Sequence, residues 1–390
     1  MNENPILKLI GRRLRLAVIG GGGVGLIGPV HRLAARLDDR FEVTASVLSS
    51  DPAKGRAEGK ALGLARPYGT FDELLAGERG RADAIDAVAI MTPNDSHERL
   101  AIGALEAGFH VMCDKPVAND LAAAKRVAAK VRASGKVFCL THNYSGYPMV
   151  RQARAMALAG ELGPLRLIQS TYVQGSLATK VEDKPESMMP RLKWRLDPAR
   201  GGPSHVLLDI GTHAHQLACF ASGRRLKRVM AQVGAVIPGR NAHDTASALI
   251  ELEGGVQGVL WVSKAAAGAE NALSFQLYGE SAGLYWEQAS HNHLRFMRNG
   301  EAAQILSRGL AGLHPLAKHA TRIPPGHPEG LHEAFANLYA DFAEAIAARM
   351  AGKPLDPLAA HFPNEQDAVD GLAFVEACLE SSAKGRWVDL

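Results

Sequence analysis

Two polar residues near the middle of the chain have the types and the spacing that proton transfer requires. Asp209 and His213 are four residues apart in a segment with a helical pattern, so both side chains lie on one face of the predicted helix. A carboxylate there can orient an imidazole, and an oriented imidazole can take a proton from a hydroxyl group. The alternatives are an ion pair on a helix surface and, with His205, a metal site, for which the spacing is not specific. We predict that Asp209 and His213 are catalytic.

A third catalytic candidate is a lysine at the end of a predicted strand. The apolar segment Phe109–Cys113 indicates a buried strand, and Lys115 follows it directly before Pro116. Proline favours an extended conformation for the residue before it, which fixes the direction of the lysine. A cation held in this way can stabilise an oxygen that gains negative charge. The alternative is an ordinary surface lysine; we predict a catalytic role.

The N-terminal region joins a strand, a glycine-rich turn and a helix. Leu14–Ile19 is apolar with β-branched residues, four glycines follow it, and a helical pattern begins at Leu26. Because backbone N–H groups and the N-terminal end of a helix attract anions, this arrangement predicts a site for a dinucleotide diphosphate rather than a merely flexible loop. The third glycine of the G-x-G-x-x-G pattern is either Gly25 or, in a longer turn, Gly28. The glycines expected to line the site are Gly20, Gly22, Gly23, Gly25 and Gly28.

The second predicted strand, Phe41–Leu48, ends at a serine. Folds of this kind usually place an acidic residue at that point, where it binds the adenosine ribose. Ser49 carries no charge, so NAD is not enforced there, and we expect NADP to be tolerated and even preferred. Lys54 and Arg56 are near enough to assist a 2′-phosphate, although solvent-exposed helix charges are the simpler interpretation.

Polar residues also follow other predicted strands. In an open parallel sheet such residues face the ligand, because ligands bind at the carboxyl ends of the strands. Ala84–Met91 is followed by Thr92 and Asn94, and Lys136–Leu140 is followed by Asn143. Asn94 can also cap the next helix. The further residues predicted to contact the cofactor are Ser49, Thr92, Asn94, Asn143 and Lys115.

The pattern of strands and helices changes near residue 142. Strand–helix alternation over residues 1–142 predicts a doubly wound parallel sheet of the Rossmann type. Residues 143–390 predict an α+β domain with a large, mostly antiparallel sheet. Its strand-like segments lie at 226–237, 243–252, 255–265 and 272–279.

Two long helices are predicted at the end of the chain, Leu331–Met350 and Glu365–Ala383, and the last one is expected to pack back on the first domain. Lys115 and His213 fall in different domains. We therefore expect the active site in the crevice between the domains.

Composition excludes several classes of protein. Of the 390 residues, 47% are hydrophobic and 22% charged, which is ordinary for a globular protein, and no apolar run approaches the ~20 residues of a membrane span. A net charge of +4 is too small to indicate nucleic acid or a membrane surface as a partner. Four widely spaced cysteines and the lack of a signal peptide favour a cytoplasmic protein.

Taken together, these residues resemble the Gfo/Idh/MocA family, named after glucose–fructose oxidoreductase and inositol dehydrogenase. The resemblance extends over nearly the whole chain and depends on the glycine turn, Thr92-Pro93-Asn94 with His97, Lys115-Pro116, and Asp209-Ile-Gly-Thr-His213. Three positions depart from the family pattern: Asp114 replaces the glutamate of Glu-Lys-Pro, Gln216 stands where an aspartate is often found, and Ser49 stands where an acidic residue often follows the second strand.

The resemblance implies a Rossmann domain, an antiparallel-sheet domain, bound NAD or NADP, and a polyol or sugar substrate. It also implies a homodimer or homotetramer built by packing those sheets, and it adds His97 to the expected cofactor contacts. Trp194 and Arg195, with Tyr144, are expected to shape a sugar pocket, or alternatively to serve in core and rim packing. No metal is expected.

The sequence therefore predicts an NAD(P)-dependent dehydrogenase or reductase that transfers hydride between a hydroxyl-bearing carbon of a sugar or cyclitol and the nicotinamide. One alternative is an enzyme that cleaves glycosides by transient oxidation with bound NAD. Another is a nucleotide-binding sensor without activity, which would have no need of Lys115, Asp209 and His213 together.

Overall fold

The predicted strands are present in a computed structural model of the chain, which describes residues 4–23, 25–184, 186, 188 and 190–390. The strands are β1 Leu14–Gly20, β2 Phe41–Val47, β3 Arg66–Pro67, β4 Ala87–Met91, β5 His110–Cys113, β6 Phe138–Leu140, β7 Leu165–Val173, β8 Leu226–Gly234, β9 Thr245–Leu252, β10 Val256–Ser263, β11 Ala272–Gly279, β12 Ala282–Glu287, β13 His293–Arg298, β14 Gln304–Ser307 and β15 Val388–Asp389.

The helices separate most of the strands in the first third of the chain and are fewer in the antiparallel region. They are α1 Pro5–Ile10, α2 Ile27–Leu37, α3 Pro52–Ala61, α4 Phe71–Glu78, α5 His97–Glu106, α6 Leu121–Ser134, α7 Pro148–Leu158, α8 Pro190–Arg195, α9 Pro198–Gly201, α10 Thr212–Ser222, α11 Pro315–His319, α12 Leu331–Met350 and α13 Glu365–Lys384. In the part of the chain that the structure describes, no helix has both the length and the apolar character needed to cross a membrane.

The first of two compact units contains Met1–Ala118, Ala122–Gly146 and Leu331–Ala368. Its sheet is parallel, with the strand order β3-β2-β1-β4-β5-β6. All residues of β4 and β5 are buried, as expected for strands covered on both faces. The predicted doubly wound sheet is confirmed, and the carboxyl ends of its strands lie along one edge.

Helix α12 belongs to this first unit, so the structure differs from the predicted division at residue 142. Its apolar side chains pack in the core beneath the sheet, where the ring of Phe342 stacks on Phe41 with centroids 6.1 Å apart. The amide of Asn337 also donates to the carbonyl of Gly146 at 2.7 Å. Apolar contact across about three hundred residues of sequence therefore determines where this helix lies.

The second unit contains Asn119–Leu121, Tyr147–Gly330 and Val369–Leu390. Its sheet has the order β14-β13-β12-β11-β7-β10-β9-β8-β15 and is antiparallel except where β10 pairs with β7. The predicted antiparallel sheet is thus confirmed, with additional strands at both edges.

Most of the last helix, α13, lies in this second unit and not in the first. Ser381 and Ser382 accept hydrogen bonds from backbone N–H groups of β8, at 2.9 Å each. These hydroxyl groups hold α13 beside the edge of the sheet, in place of the expected packing on the first domain.

Candidate active site

The geometry of the glycine-rich turn after β1 distinguishes Gly25 from Gly28 as the third glycine of the pattern. A Cβ atom at Gly28 would lie 1.8 Å from the carbonyl oxygen of Gly21, whereas one at Gly25 would meet only the oxygen of Gly22, at 3.7 Å. Helix α2, which begins at Ile27, is therefore pressed against the turn at Gly28. Gly28 is the glycine of the helix–strand contact, in the longer of the two arrangements that the sequence allows.

The same turn has the properties of an anion site. Gly20, Gly21 and Gly23 have φ of +83°, +70° and +66°, a region that side chains disfavour. The N–H of Gly23 already donates to a carboxylate oxygen of Glu58 at 3.2 Å. Because this N–H group is directed at an anion, the turn fits a dinucleotide diphosphate.

Two other predicted contacts follow the ends of β4 and β6. The methyl carbon of Thr92 would be 2.7 Å from a Cβ at Gly20, so β4 ends against the first glycine. Asn143 is buried at the end of β6, and among the described residues its amide nitrogen has no acceptor. A buried donor without a protein partner fits a site that a ligand completes.

The other predicted contacts bind protein groups. Ser49 accepts a hydrogen bond from the N–H of Asp51 at 3.1 Å. Both ring nitrogens of His97 lie 2.7 Å from carbonyl oxygens, those of Pro116 and Thr92, so this histidine links the ends of β4 and β5. Asn94 begins a 3-10 turn, and Ser96 occupies the position before α5.

Lys115 follows a carboxylate that is held within the first unit. Asp114 accepts a hydrogen bond from the hydroxyl of Thr141, and Nε2 of His31 lies 3.5 Å from it. Nδ1 of His31 lies 2.8 Å from the hydroxyl of Tyr339, which is on α12. Burial raises the pKa of Asp114, but His31 and Thr141 lower it more, to about 2, so the carboxyl is ionised at neutral pH. The backbone next to Lys115 is thus fixed by polar contacts from three other segments.

In the second unit, Asp209 lies in a polar cluster that the sequence showed only in part. It stands in a π-helical turn, Leu207–Gly211, that leads into α10; such turns are frequent at functional sites. Nζ of Lys264 lies 2.6 Å from one carboxylate oxygen, and the guanidinium of Arg195 lies 3.6 Å from the other. Arg195 also lies over the ring of Trp194, 5.2 Å from its centroid. The structure therefore places Arg195 beside both the carboxylate of Asp209 and the ring of Trp194.

Lys264 and its neighbours extend this cluster toward the sheet. Lys264 donates to the side-chain oxygen of Gln174 at 2.8 Å, and Gln174 donates in turn to Asn271 at 2.5 Å. The hydroxyl of Tyr172 donates to the same Asn271 oxygen at 2.7 Å. The ring of Tyr172 lies 6.2 Å from that of His213, which is buried on α10. We name Asp209, Lys264, Gln174, Asn271, Tyr172 and His213 the polar cluster.

The sequence carried a signal for two residues that our predictions missed. Gln174 and Lys264 immediately follow β7 and β10, which are adjacent and parallel, with Val173 opposite Ser263. The rule that polar residues at the carboxyl ends of parallel strands converge would have placed them together. The sequence pattern predicts a mostly antiparallel sheet here and does not indicate that β7 and β10 are its parallel pair.

Tyr144 and His215 lie outside the polar cluster. Tyr144 is buried in the 3-10 turn Asn143–Gly146 of the first unit, and so is not in the same unit as Trp194 and Arg195. His215, for which no role was predicted, stacks on Phe374 with ring centroids 4.8 Å apart, and burial lowers its pKa to about 4. The described residues contain no group of three or more His, Cys, Asp or Glu side chains that could hold a metal ion.

Comparison with known proteins agrees with this description. Residues 14–142 match the model "Oxidoreductase family, NAD-binding Rossmann fold", and residues 150–285 match "GFO/IDH/MocA C-terminal domain". The chain is similar to the uncharacterized oxidoreductase YfiI of Bacillus subtilis, with 33% identity over 98% of each chain. It is also 26% identical to levoglucosan dehydrogenase of Pseudarthrobacter phenanthrenivorans, over 97% of this chain and 98% of that protein.

Solved structures give the same result. An inositol dehydrogenase homolog from Azotobacter vinelandii, complexed with NAD+, is 37% identical with a TM-score of 0.91 over 98% of both chains. The same homolog complexed with NADH and myo-inositol gives 36% identity and a TM-score of 0.88, over 98% of this chain and 99% of that one. The predicted family and the prediction of a nicotinamide dinucleotide as cofactor are confirmed: the chain belongs to the Gfo/Idh/MocA family of oxidoreductases, and residues 14–142 are its NAD-binding Rossmann domain.

Proposed function

We propose that this protein is an NAD(P)-dependent dehydrogenase that oxidises one hydroxyl group of a cyclitol or a sugar. The observation that carries the proposal is the polar cluster around Asp209 and His213, in a chain whose other unit has a turn suited to a dinucleotide. The relatives named for inositol and levoglucosan support a cyclic polyol or sugar as the substrate class.

A bound nicotinamide would supply the acceptor for the hydride of the substrate carbon. The residues that would hold the nucleotide are the glycines of the turn, with Thr92 and Asn143. His213 takes the proton of the hydroxyl group, and Lys115 donates a hydrogen bond to an oxygen on which negative charge develops. Asp209, anchored by Lys264 and Arg195, orients the donors. Trp194 offers an aromatic face to the C–H side of a sugar ring.

A substrate panel tests this proposal. The purified protein is mixed with cyclitols, aldoses, anhydrosugars and glycosides, each with NAD and with NADP, and the absorbance of the reduced nicotinamide is followed. We expect at least one cyclic polyol or sugar to reduce the nucleotide. Cleavage of a glycoside without net reduction would instead identify the transient-oxidation enzyme, and nucleotide binding without turnover on any substrate would favour a sensor.

Variants of Lys264 are expected to separate its effect on the unfolding free energy from its effect on turnover. Lys264→Met removes the cation beside a largely buried carboxylate, so we expect the unfolding free energy to fall by about 3–5 kcal/mol and turnover to fall as Asp209 loses its anchor. Lys264→Met with Asp209→Asn removes both charges and should regain much of the thermal stability without regaining turnover. The control Lys227→Met removes an exposed lysine paired with Glu251 at 3.1 Å and should change neither property. Full turnover in Lys264→Met would rule out a positioning role.

The open face of the nine-stranded sheet supports a homodimer or homotetramer. Met230, Leu249 and Val259 are side by side in register on β8, β9 and β10, and Trp261 lies on the same face. Their exposed fractions are 38%, 51%, 41% and 45%, whereas the other face is covered by α7 and α10. A contiguous exposed apolar patch marks an interaction site, and we propose a second copy of this chain as its partner. None of the four cysteines, all of which lie in the described part of the chain, forms a disulfide bond, and we propose a cytoplasmic location.

A charge in the centre of this patch is expected to separate the subunits. Leu249→Lys places an ammonium group against an apolar partner surface, and we expect dissociation to become easier by roughly 10²-fold. Light scattering after gel filtration measures the mass. Leu158→Lys, at an exposed leucine on α7, is the control and should leave the mass unchanged. A monomeric parent protein, or an unchanged mass for Leu249→Lys, would contradict the proposed interface.

A further inference from the structure

A carboxylate from helix α3 reaches the glycine turn. One oxygen of Glu58 accepts the N–H of Gly23 at 3.2 Å and lies 2.2 Å from the position that a Cβ of Gly22 would take. The carbonyl oxygen of Leu48, just beyond β2, is 2.4 Å from the same position. Glu58 therefore lies in the space between the glycine turn and the end of β2. Dinucleotide-binding folds use an acidic residue in that space to bind the adenosine ribose.

The other polar groups near this point bind elsewhere. Ser49 accepts the N–H of Asp51, and the carboxylate of Asp51 caps α3 by accepting the N–H groups of Ala53 and Lys54 at 2.9 and 3.1 Å. Within the described residues, Glu58 is thus the acidic side chain that reaches the turn at the end of β2.

We propose that Glu58 selects NAD over NADP, supplying from α3 the carboxylate that position 49 lacks. This inference rests on the proposed function. A carboxylate accepts a hydrogen bond from a ribose hydroxyl and repels a phosphate group at the same point. The preference expected from Ser49 alone is thereby reversed.

The cations near the turn determine what happens when this charge is removed. Nζ of Lys54 lies 3.9 Å from the other oxygen of Glu58, and Arg32 donates to the carbonyl of Gly21 at 2.9 Å. Arg56 is bound by Glu73 through two hydrogen bonds, at 2.6 and 2.8 Å. Without the carboxylate, Lys54 and Arg32 leave a net positive charge that favours the 2′-phosphate. Glu58→Gln should therefore improve NADP binding while it weakens NAD binding.

Titration calorimetry with NAD and with NADP tests the proposal without any substrate. For the parent protein we expect NAD to bind more tightly than NADP by on the order of 10²-fold, since like charges in contact cost several kcal/mol. Glu58→Gln should reduce this ratio at least tenfold. Glu106→Gln removes an exposed carboxylate on α5, paired with Lys130 at 2.8 Å, and is the matched control that should keep the parent ratio.

Three results would overturn the assignment. A parent protein that binds both nucleotides equally, or a ratio unchanged in Glu58→Gln, would show that Glu58 does not face the ribose. Equal tightening of both nucleotides would show that it only competes with the diphosphate. Each of these leaves the proposed dehydrogenase intact, whereas a parent protein that binds neither nucleotide would contradict the proposed function as well.

Discussion

Replacing Lys115 or His213 by alanine is expected to abolish most turnover while nucleotide binding survives. Oxidation of an alcohol needs an acceptor for the hydroxyl proton and a donor that stabilises the alkoxide. A positioned general base contributes ~10²–10⁴-fold. The loss of one donor to a developing oxyanion costs on the order of 10²–10³-fold. Neither residue belongs to the glycine turn, so the dissociation constant for the nucleotide should change little.

The surroundings of Lys115 explain why its replacement by alanine is informative. Asp114, Thr141, His31 and Tyr339 fix the backbone on one side of the lysine, so truncation removes the ammonium group and leaves its support in place. Lys130→Ala, at a half-buried position of the first unit, and His293→Ala, at an exposed position of the second, are the controls and should retain parent turnover.

The double variant tests whether the two residues act on one oxygen. If they do, Lys115→Ala with His213→Ala should lose less activity than the product of the two single losses. Parent turnover in both single variants, on a substrate that the unmodified protein oxidises well, would refute these roles.

Gly22→Ala is expected to weaken nucleotide binding by about 10- to 100-fold, the effect of losing one hydrogen bond to a charged group. The new Cβ would lie 2.4 Å from the carbonyl oxygen of Leu48 and must push the turn away from β2. This movement redirects the N–H groups that the diphosphate requires. Calorimetric titration measures the affinity, and thermal unfolding shows whether the fold survives.

Gly25→Ala is the matched control for this effect. Its Cβ would meet the carbonyl oxygen of Gly22 at 3.7 Å, which is an ordinary van der Waals contact. We expect nearly the parent affinity. Equal losses in both variants, or none in either, would mean that the approach of the turn to β2 does not determine binding.

Local patterns were sufficient to predict the parallel sheet. Its central strands are mostly apolar and separated by helices, and β4 and β5 are buried along their whole length, so the signal is strong and local. Strands β3 and β15 were missed because each has two residues and exists only by pairing with β2 or β8. The place of α12 could not be predicted, because its apolar stripe shows that it is buried but not against which core.

Some residues of the candidate site could likewise be predicted from the sequence, and others could not. Lys115, Asp209 and His213 could be proposed because their types and their positions in the sequence are informative by themselves. Lys264 was missed because its importance comes from the pairing of β10 with β7, which places it beside Gln174 and Asp209. Glu58 was missed because it is one of several charged residues on α3, and only the geometry of the turn distinguishes it.

Transfer of deuterium from the substrate carbon to the nucleotide tests the proposed dehydrogenase most directly. Myo-inositol, or the best substrate of the panel, is supplied with deuterium on every carbon, and the reduced nucleotide is analysed by mass spectrometry. We expect one deuterium in each reduced nicotinamide, and none when Lys115→Ala and His213→Ala together have removed turnover. Substrate conversion that leaves no deuterium in the released nucleotide would contradict a dehydrogenase that passes hydride from a hydroxyl-bearing carbon to the nicotinamide.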